Sequence, residues 1–215
     1  IFGHARRDGL RIAQTAYSYN TNCVSGTIND TVVSQNAVNK VWSASKTVAG
    51  WWKWTSQASS NHYFVSFGKK NNSGTTNQWS FSRSDTLDRF YFSLPFDSNG
   101  IKVYGIDSFS TKVTVGSWTH IAVFHDGVRT SEPVILFNGV KYPPTHFFDI
   151  GDVTGDVSSE SSNLQIEMGH SLDEINIWEK SLGFDRIQEL YNEGAPVLFK
   201  NPTFNTEGLA SWFRM

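Results

Sequence analysis

The sequence lacks several features that would assign it to a protein class directly. Its single cysteine, Cys23, excludes a disulfide within the chain and says little about compartment. Lysine and arginine (18) nearly balance aspartate and glutamate (20), and without a basic cluster nucleic-acid binding is not expected. No apolar run is long enough to span a bilayer, so membrane insertion is not expected either. No secretory signal is visible, and a start at Ile1 predicts a fragment or a processed product.

Aromatic residues, in contrast, are abundant at 14% of the 215 residues, with 16 Phe and 8 Trp. This apolar area suffices for the core of one large domain. Short alternating segments separated by Gly and Asn turns predict strands over residues 46–55, 62–68, 78–83, 89–94, 101–106, 117–125, 133–138, 140–142 and 163–169. Because no strand–helix alternation is present, the pattern indicates an all-β sandwich of two antiparallel sheets.

One segment near the C-terminus changes its period. Residues 172–178 alternate as an extended strand does. Further on, Ile187, Leu190 and Tyr191 are spaced i, i+3, i+4, which places them on one stripe of a short helix. Gly183 is the expected N-cap. The sequence therefore predicts a buried strand that leads into one short helix.

Four segments, taken together and in this order, resemble laminin-G-like and concanavalin A-like jelly-roll domains. They are TVAGWWK at 47–53, GSWTHIAVFHDG at 116–127, ILFNG at 135–139, and the strand and helix at 172–192. The resemblance implies an antiparallel jelly-roll sandwich with one short C-terminal helix over residues 46–194. Residues 1–45 are then an arm with edge strands, and residues 195–215 a closing strand or a link to further sequence.

The tail at 208–215, GLASWFRM, resembles segments that follow such modules in bacteriophage structural proteins. This second likeness implies a virion or another extracellular surface as the location of the protein. It also implies a multimeric assembly.

The segment from Glu174 to Glu179 resembles the E-x-D-x-x-E motif of glucanases with this fold. In those enzymes one glutamate is the nucleophile and the other the acid/base. Asn176 stands here in place of the aspartate, which would tune the protonation of the pair. The alternative interpretation is an ordinary closing strand, and we favour it.

A metal site is predicted in the polar, glycine-containing loop that begins at Asp149. Asp149, Asp152 and Asp156 offer hard oxygen ligands, which suit Ca²⁺. The resemblance also implies Ca²⁺ at a rim loop, and Ca²⁺ is the one cofactor that the residues suggest. The alternative is a solvated acidic loop without a metal.

The aromatic residues provide a third candidate site, a platform on which sugar rings stack. The ligand-binding candidates are Trp51, Trp54, Trp79, Glu174, Asn176 and Trp178, and Tyr63, Phe90, Tyr91 and Phe92 belong to the wider aromatic set. The alternative is that these rings fill the core, as half of them must on any sandwich.

From these observations we expect a non-enzymatic, lectin-like recognition or adhesion module that binds a glycan or a neighbouring subunit. One alternative is a purely structural module that decorates a capsid or tail. A second alternative is a glycoside hydrolase acting on β-glucan, which the asparagine at position 176 argues against.

Overall fold

Fourteen strands and one α-helix are formed by the part of the chain that the computed structural model describes. That part comprises residues 11–12, 31–33, 43–53, 61–67, 79–84, 87–114, 116–158, 164–167, 171–194 and 207–214. The elements are β1 (Arg11–Ile12), β2 (Thr31–Val33), β3 (Lys46–Lys53), β4 (Asn61–Phe67), β5 (Trp79–Ser84), β6 (Arg89–Pro95), β7 (Ile101–Asp107), β8 (Trp118–His125), β9 (Val134–Phe137), β10 (Val140–Tyr142), β11 (Thr145–Ile150), β12 (Leu164–Glu167), β13 (Ser171–Trp178), α1 (Phe184–Tyr191) and β14 (Leu209–Arg214).

The strands form two seven-stranded sheets. Sheet A has the order β1-β14-β13-β3-β8-β9-β10, and sheet B has the order β11-β7-β6-β5-β4-β12-β2. All neighbouring strands pair antiparallel. The predicted all-β architecture with one short helix is confirmed. The division at residues 45 and 195 stays a prediction, although β1, β2 and β14 all join the same two sheets.

The core between the sheets is built from rings and branched side chains. In β3 and β6 alternate residues point inward, such as Val48 and Trp52 of β3 and Phe90 and Phe92 of β6, all fully buried. Trp79 meets Phe92 edge to face, with ring centroids 4.9 Å apart and planes at 79°. Each buried side chain of this size contributes about 1.5–3 kcal/mol of transfer free energy. The aromatic residues of this cluster therefore hold the two sheets together.

A bulge interrupts the pairing of β13 with β3. The register shifts between Asp173 and Asn176, and Glu174 adopts a left-handed backbone with φ 51°. Opposite the bulge lies Gly50, where a Cβ atom would stand 2.4 Å from the Cδ1 atom of Ile175 and 3.0 Å from its Cα. Glycine is therefore needed within this otherwise bulky strand, because the bulged backbone approaches it closely.

The hairpin between β9 and β10 forms as predicted. Asn138 and Gly139 both have positive φ, 49° and 75°, as a type I′ turn requires. The next strand, β11, differs from the sequence-based prediction, which places a polar loop from Asp149 onward. It pairs with β7 through a bulge at Phe147, between His146 and Phe148. The bulge breaks the alternation from which a strand is recognised in the sequence.

Candidate functional site

Among the residues that the structure describes, the outer face of sheet A is covered by a helix and that of sheet B carries none. Helix α1 lies on the outer face of sheet A, where Ile187 and Leu190 are buried in a second apolar cluster with Ala49, Ala122 and other outward-facing residues of that sheet. The segment before the helix is tied to β3. The hydroxyl of Thr47 donates to the carbonyl of Lys180 over 2.7 Å and accepts from the backbone N–H of Leu182 over 3.0 Å. The outer face of sheet A is therefore sealed where α1 packs.

Three of the four candidate tryptophans lie in buried positions. Trp79 is in the core between the sheets, and Trp178 lies in the cluster beneath α1. Trp51 is buried on the outer side of sheet A against Tyr191, with ring centroids 6.0 Å apart and planes at 31°. Trp54 lies outside the described residues. A role in ligand binding for the three buried rings stays a prediction, but direct contact would require the covering elements to move.

The buried imidazole of His120 contacts the rings of Trp51 and Tyr191 beneath α1. Its ring centroid is 5.2 Å from that of Trp51 and 5.8 Å from that of Tyr191. Burial lowers the pKa of His120 to about 3, because the charged form would lose its hydration. Within the described residues its Nδ1 atom has no hydrogen-bond partner. His120 is therefore a neutral packing residue at ordinary pH.

Asn176 serves as a hydrogen-bond bridge within β13. Its Oδ1 atom accepts from the indole Nε1 of Trp178 over 2.8 Å, and its Nδ2 atom donates to the carbonyl of Glu174 over 3.0 Å. The side chains of Glu174 and Asn176 are both buried. An aspartate could accept from the indole but could not donate to the carbonyl. The asparagine that departs from the glucanase motif thus has a structural reason here.

The three candidate metal ligands occupy different local structures. Asp149 is in β11, where its Oδ1 atom is 2.7 Å from Nε2 of His146. Asp152 accepts hydrogen bonds at Oδ1 from the backbone N–H and the hydroxyl of Thr154. Across the described ranges, no three His, Cys, Asp or Glu side chains form a group able to hold a metal ion. Asp149, Asp152 and Asp156 therefore do not belong to such a group, and Ca²⁺ binding at this loop stays a prediction.

On the outer face of sheet B, strands β6, β7 and β11 present polar and aromatic side chains. In β6, the core residues Phe90, Phe92 and Leu94 alternate with half-buried residues that point outward. Two of these outward residues are Arg89 and Tyr91. In the neighbouring strand, Asp107 is in register with Arg89, and Gly105 with Tyr91. Directly opposed residues share a face of the sheet, so these four positions form one outer surface.

An ion pair and two rings contact one another on this surface. Nε of Arg89 donates to Oδ1 of Asp107 over 2.5 Å, and the guanidinium carbon lies 4.6 Å from the ring centroid of Phe147. The rings of Tyr91 and Phe147 meet edge to face with centroids 5.7 Å apart and planes at 70°. Hydrogen bonds to Tyr91 and to Asp107 raise the pKa of Arg89 above its ordinary value. The guanidinium therefore remains charged and held in place.

Phe147 reaches this position because of a glycine and a bulge. A Cβ atom on Gly105 would stand 2.4 Å from Cε2 of Phe147 and 2.5 Å from the carbonyl oxygen of Phe90. The ring therefore lies directly on the backbone of β7. Phe148 follows the bulge and is in register with Val103, on the same face as Gly105, with 48% of its surface exposed.

We call this surface the platform. It consists of Arg89, Tyr91, Asp107, Phe147 and Phe148. Of these residues, sequence reasoning included only Tyr91 in its wider aromatic set. The alternation of charged or hydroxyl-bearing residues with phenylalanines in β6 was the available signal for Arg89. For Phe147 and Phe148 no sequence signal was available, because the bulge places two consecutive rings near one face.

Comparison with known proteins gives a result for the fold only. No protein-family model and no curated protein sequence matches the chain. The fold is similar to that of botulinum neurotoxin binding domains. The serotype D ligand-binding domain in complex with N-acetylneuraminic acid has a TM-score of 0.57 at 10% identity, over 86% of this chain and 46% of that one.

Two further neurotoxin structures are similar to the chain. The first belongs to botulinum neurotoxin type C, whose cell entry is described as dependent upon interaction with two ganglioside molecules. It has a TM-score of 0.53 at 16% identity, over 75% of this chain and 39% of that one. The other is the binding domain of neurotoxin DC in complex with rat synaptotagmin II, with a TM-score of 0.52 at 17% identity and the same coverage. The chain spans less than half the length of each of these proteins. Identities this low establish the fold alone.

The described residues contain no helix with the length and apolarity that crossing a membrane requires.

Proposed function

We propose that this chain is a non-enzymatic recognition module that binds a glycan on the platform of sheet B. The observation that carries the proposal is the difference between the two outer faces. Sheet A is covered by α1, whereas the platform combines two aromatic rings, an exposed phenylalanine and an ion pair. A binding surface needs apolar contact area together with a few oriented polar groups, and this face offers both.

The chemistry of the platform suits a sugar. The rings of Tyr91, Phe147 and Phe148 offer rigid apolar area to the C–H face of a pyranose, at a low cost in side-chain entropy. The guanidinium of Arg89 and the carboxylate of Asp107 stand beside these rings and can bond to ring hydroxyls. The similar neurotoxin structures, one in complex with N-acetylneuraminic acid and another concerned with ganglioside molecules, give a glycan ligand additional support.

A non-enzymatic role is favoured by the surroundings of the glucanase-like segment. Hydrolysis would require both carboxylates to flank a sugar in an open cleft. Glu174 is buried, and Asn176 is bonded to the indole of Trp178 and to the carbonyl of Glu174. Two of the similar solved structures are receptor-binding domains of botulinum neurotoxins.

A second candidate function, a structural module that packs against copies of itself or a neighbouring subunit, is favoured by the edge strand β11. Phe148 and Ile150 expose 48% and 38% of their surface there, and an edge strand carries backbone groups that another chain can pair with. We therefore include a multimeric assembly on a virion or extracellular surface in the proposal. Sedimentation analysis of the protein and of Phe148→Ser would distinguish a self-associating module from a monomeric one.

The glycan proposal is tested by screening the protein on a glycan array and by titrating the strongest ligand with Tyr91→Ala and Phe148→Ala. Each variant is expected to weaken binding by about tenfold or more, which corresponds to about 1.4 kcal/mol. Phe184→Ala is the matched control, since Phe184 is 45% exposed but lies in α1 on the other sheet. Unchanged affinity in both platform variants, or no bound glycan at all, would overturn the proposal.

A further inference from the structure

The charges of the platform cancel within it, and from this we infer that its ligand is a neutral saccharide rather than a sugar acid. The inference rests on the proposed function. The cation, Arg89, already has a counterion, since its Nε atom donates to Asp107 over 2.5 Å. Its guanidinium also lies over the ring of Phe147 at 4.6 Å. A ligand carboxylate would have to compete with Asp107 for this cation.

The donor and acceptor pattern leads to the same result. A guanidinium only donates hydrogen bonds, and an ionised carboxylate only accepts them. A sugar hydroxyl does both, so adjacent hydroxyls can bond to Arg89 and to Asp107 at the same time. The side chain of Asp107 is 53% exposed and can accept from such a ligand. A carboxylate ligand would instead place two like charges next to each other, which is unfavourable.

The charges near the platform do not change this balance. The ammonium of Lys112 donates to the backbone carbonyls of Asp107 and Ser108 over 2.7 and 3.1 Å. It also lies 5.7 Å from the ring centroid of Tyr142, in β10, which places it toward sheet A. Asp88 precedes Arg89 in the chain and binds the N–H and hydroxyl of Ser110. Near the ion pair, Asp88 therefore adds a second carboxylate. Of the charged groups named here, Arg89 is the one cation that lies over a ring of the platform.

The experiment compares matched ligands of which one is neutral and the other carries an acidic group. Neutral oligosaccharides on an array, including lactose, are each paired with a sialylated or uronic-acid counterpart, and the best pair is titrated by calorimetry. The wild-type protein is expected to bind the neutral member at least about tenfold more tightly. Because no net charge is neutralised, that affinity should change little between low and high salt.

The variant Asp107→Asn provides the sharpest test, because it keeps the size of the side chain and removes its charge. It is expected to weaken binding of the neutral sugar and to strengthen binding of the acidic one, since Arg89 then lacks its counterion. Asp185→Asn, an exposed carboxylate in the first turn of α1, is the control and should leave both affinities unchanged. Circular dichroism of each variant establishes that it is folded.

The outcomes separate this inference from the proposed function. Tighter binding of the acidic member, weakened by Tyr91→Ala, would leave the glycan-binding platform in place and overturn the neutral-ligand inference. Equal affinity for both members of each pair would also overturn it. Absence of binding to every glycan on the array would overturn the proposed function and the inference together.

Discussion

The amide of Asn176 accepts a hydrogen bond from the indole of Trp178 over 2.8 Å in the buried part of β13. The same amide donates to the carbonyl of Glu174 over 3.0 Å, so that one side chain satisfies two buried polar groups. This arrangement places the asparagine beneath the covered face of sheet A, where its role is structural.

The first prediction is that Asn176→Asp destabilises the protein and creates no β-glucan hydrolase. An ionised aspartate cannot donate to the carbonyl of Glu174 and buries a charge, whereas a protonated one must first bind a proton at pH 7. We expect the free energy of unfolding to fall by about 3 kcal/mol, measured by urea denaturation at pH 7.

Asn138→Asp is the matched control for this prediction. The side-chain oxygen of Asn138 accepts from the backbone N–H of His120 over 2.9 Å, an interaction that aspartate retains. Asn138→Asp should therefore lower the free energy of unfolding clearly less than Asn176→Asp does. Hydrolysis of β-glucan by Asn176→Asp would show that the glucanase-like segment has catalytic capacity after all.

The second prediction is that Gly105→Ala displaces the ring of Phe147 and destabilises the protein. An added Cβ would collide with the ring of Phe147 and with the carbonyl oxygen of Phe90, at 2.4 and 2.5 Å. Overpacking of this kind costs about 1–3 kcal/mol, which thermal or urea unfolding measures directly. We also expect loss of glycan binding, because Phe147 must leave its place over β7.

A double-mutant cycle separates the two collisions. Phe147→Ala removes the ring but leaves the carbonyl of Phe90, so the double variant should recover only part of the stability lost in Gly105→Ala. Strict additivity of the two single effects would mean that the ring does not lie over Gly105 in solution.

The third prediction concerns stability at acid pH. The pKa of His120 is lowered by burial to about 3 in the folded protein, against about 6.5 in the unfolded chain. Between these values the unfolded chain binds the extra proton, so stability is present above pH 6.5 and declines as the pH falls towards 3. The slope from this group is at most about 1.4 kcal/mol per pH unit.

His120→Phe is expected to reduce this slope between pH 6 and 4, as measured by urea denaturation across the pH range. His125, whose pKa burial also lowers, retains its own contribution, so the slope should decrease but not vanish. His146→Gln is the control, because 44% of its side chain is exposed. A slope that is the same with and without His120 would contradict the assignment of a neutral, buried imidazole.

Much of the fold could be predicted from the sequence because the relevant signals are local. The alternation over residues 46–55 predicted the strand β3, and the structure places Val48 and Trp52 in the core and Ala49 beneath α1. The spacing of Ile187 and Leu190 predicted the buried stripe of α1, and Gly183 is its N-cap. Each of these patterns is set by the period of one element.

These local patterns do not show which face of an element is covered by another element. An aromatic residue that alternates within a strand is equally consistent with a core and with a ligand platform, and Trp51, Trp79 and Trp178 are buried. The platform depends instead on the bulge at Phe147 and on the pairing of Arg89 with Asp107, 18 residues along the chain. Sequence periodicity predicts which residues share a face of one strand or helix. Whether that face is covered depends on contacts with elements that are distant in the chain. Local sequence patterns therefore establish a two-sheet antiparallel sandwich, whereas packing between the sheets and α1 establishes which described surfaces are exposed.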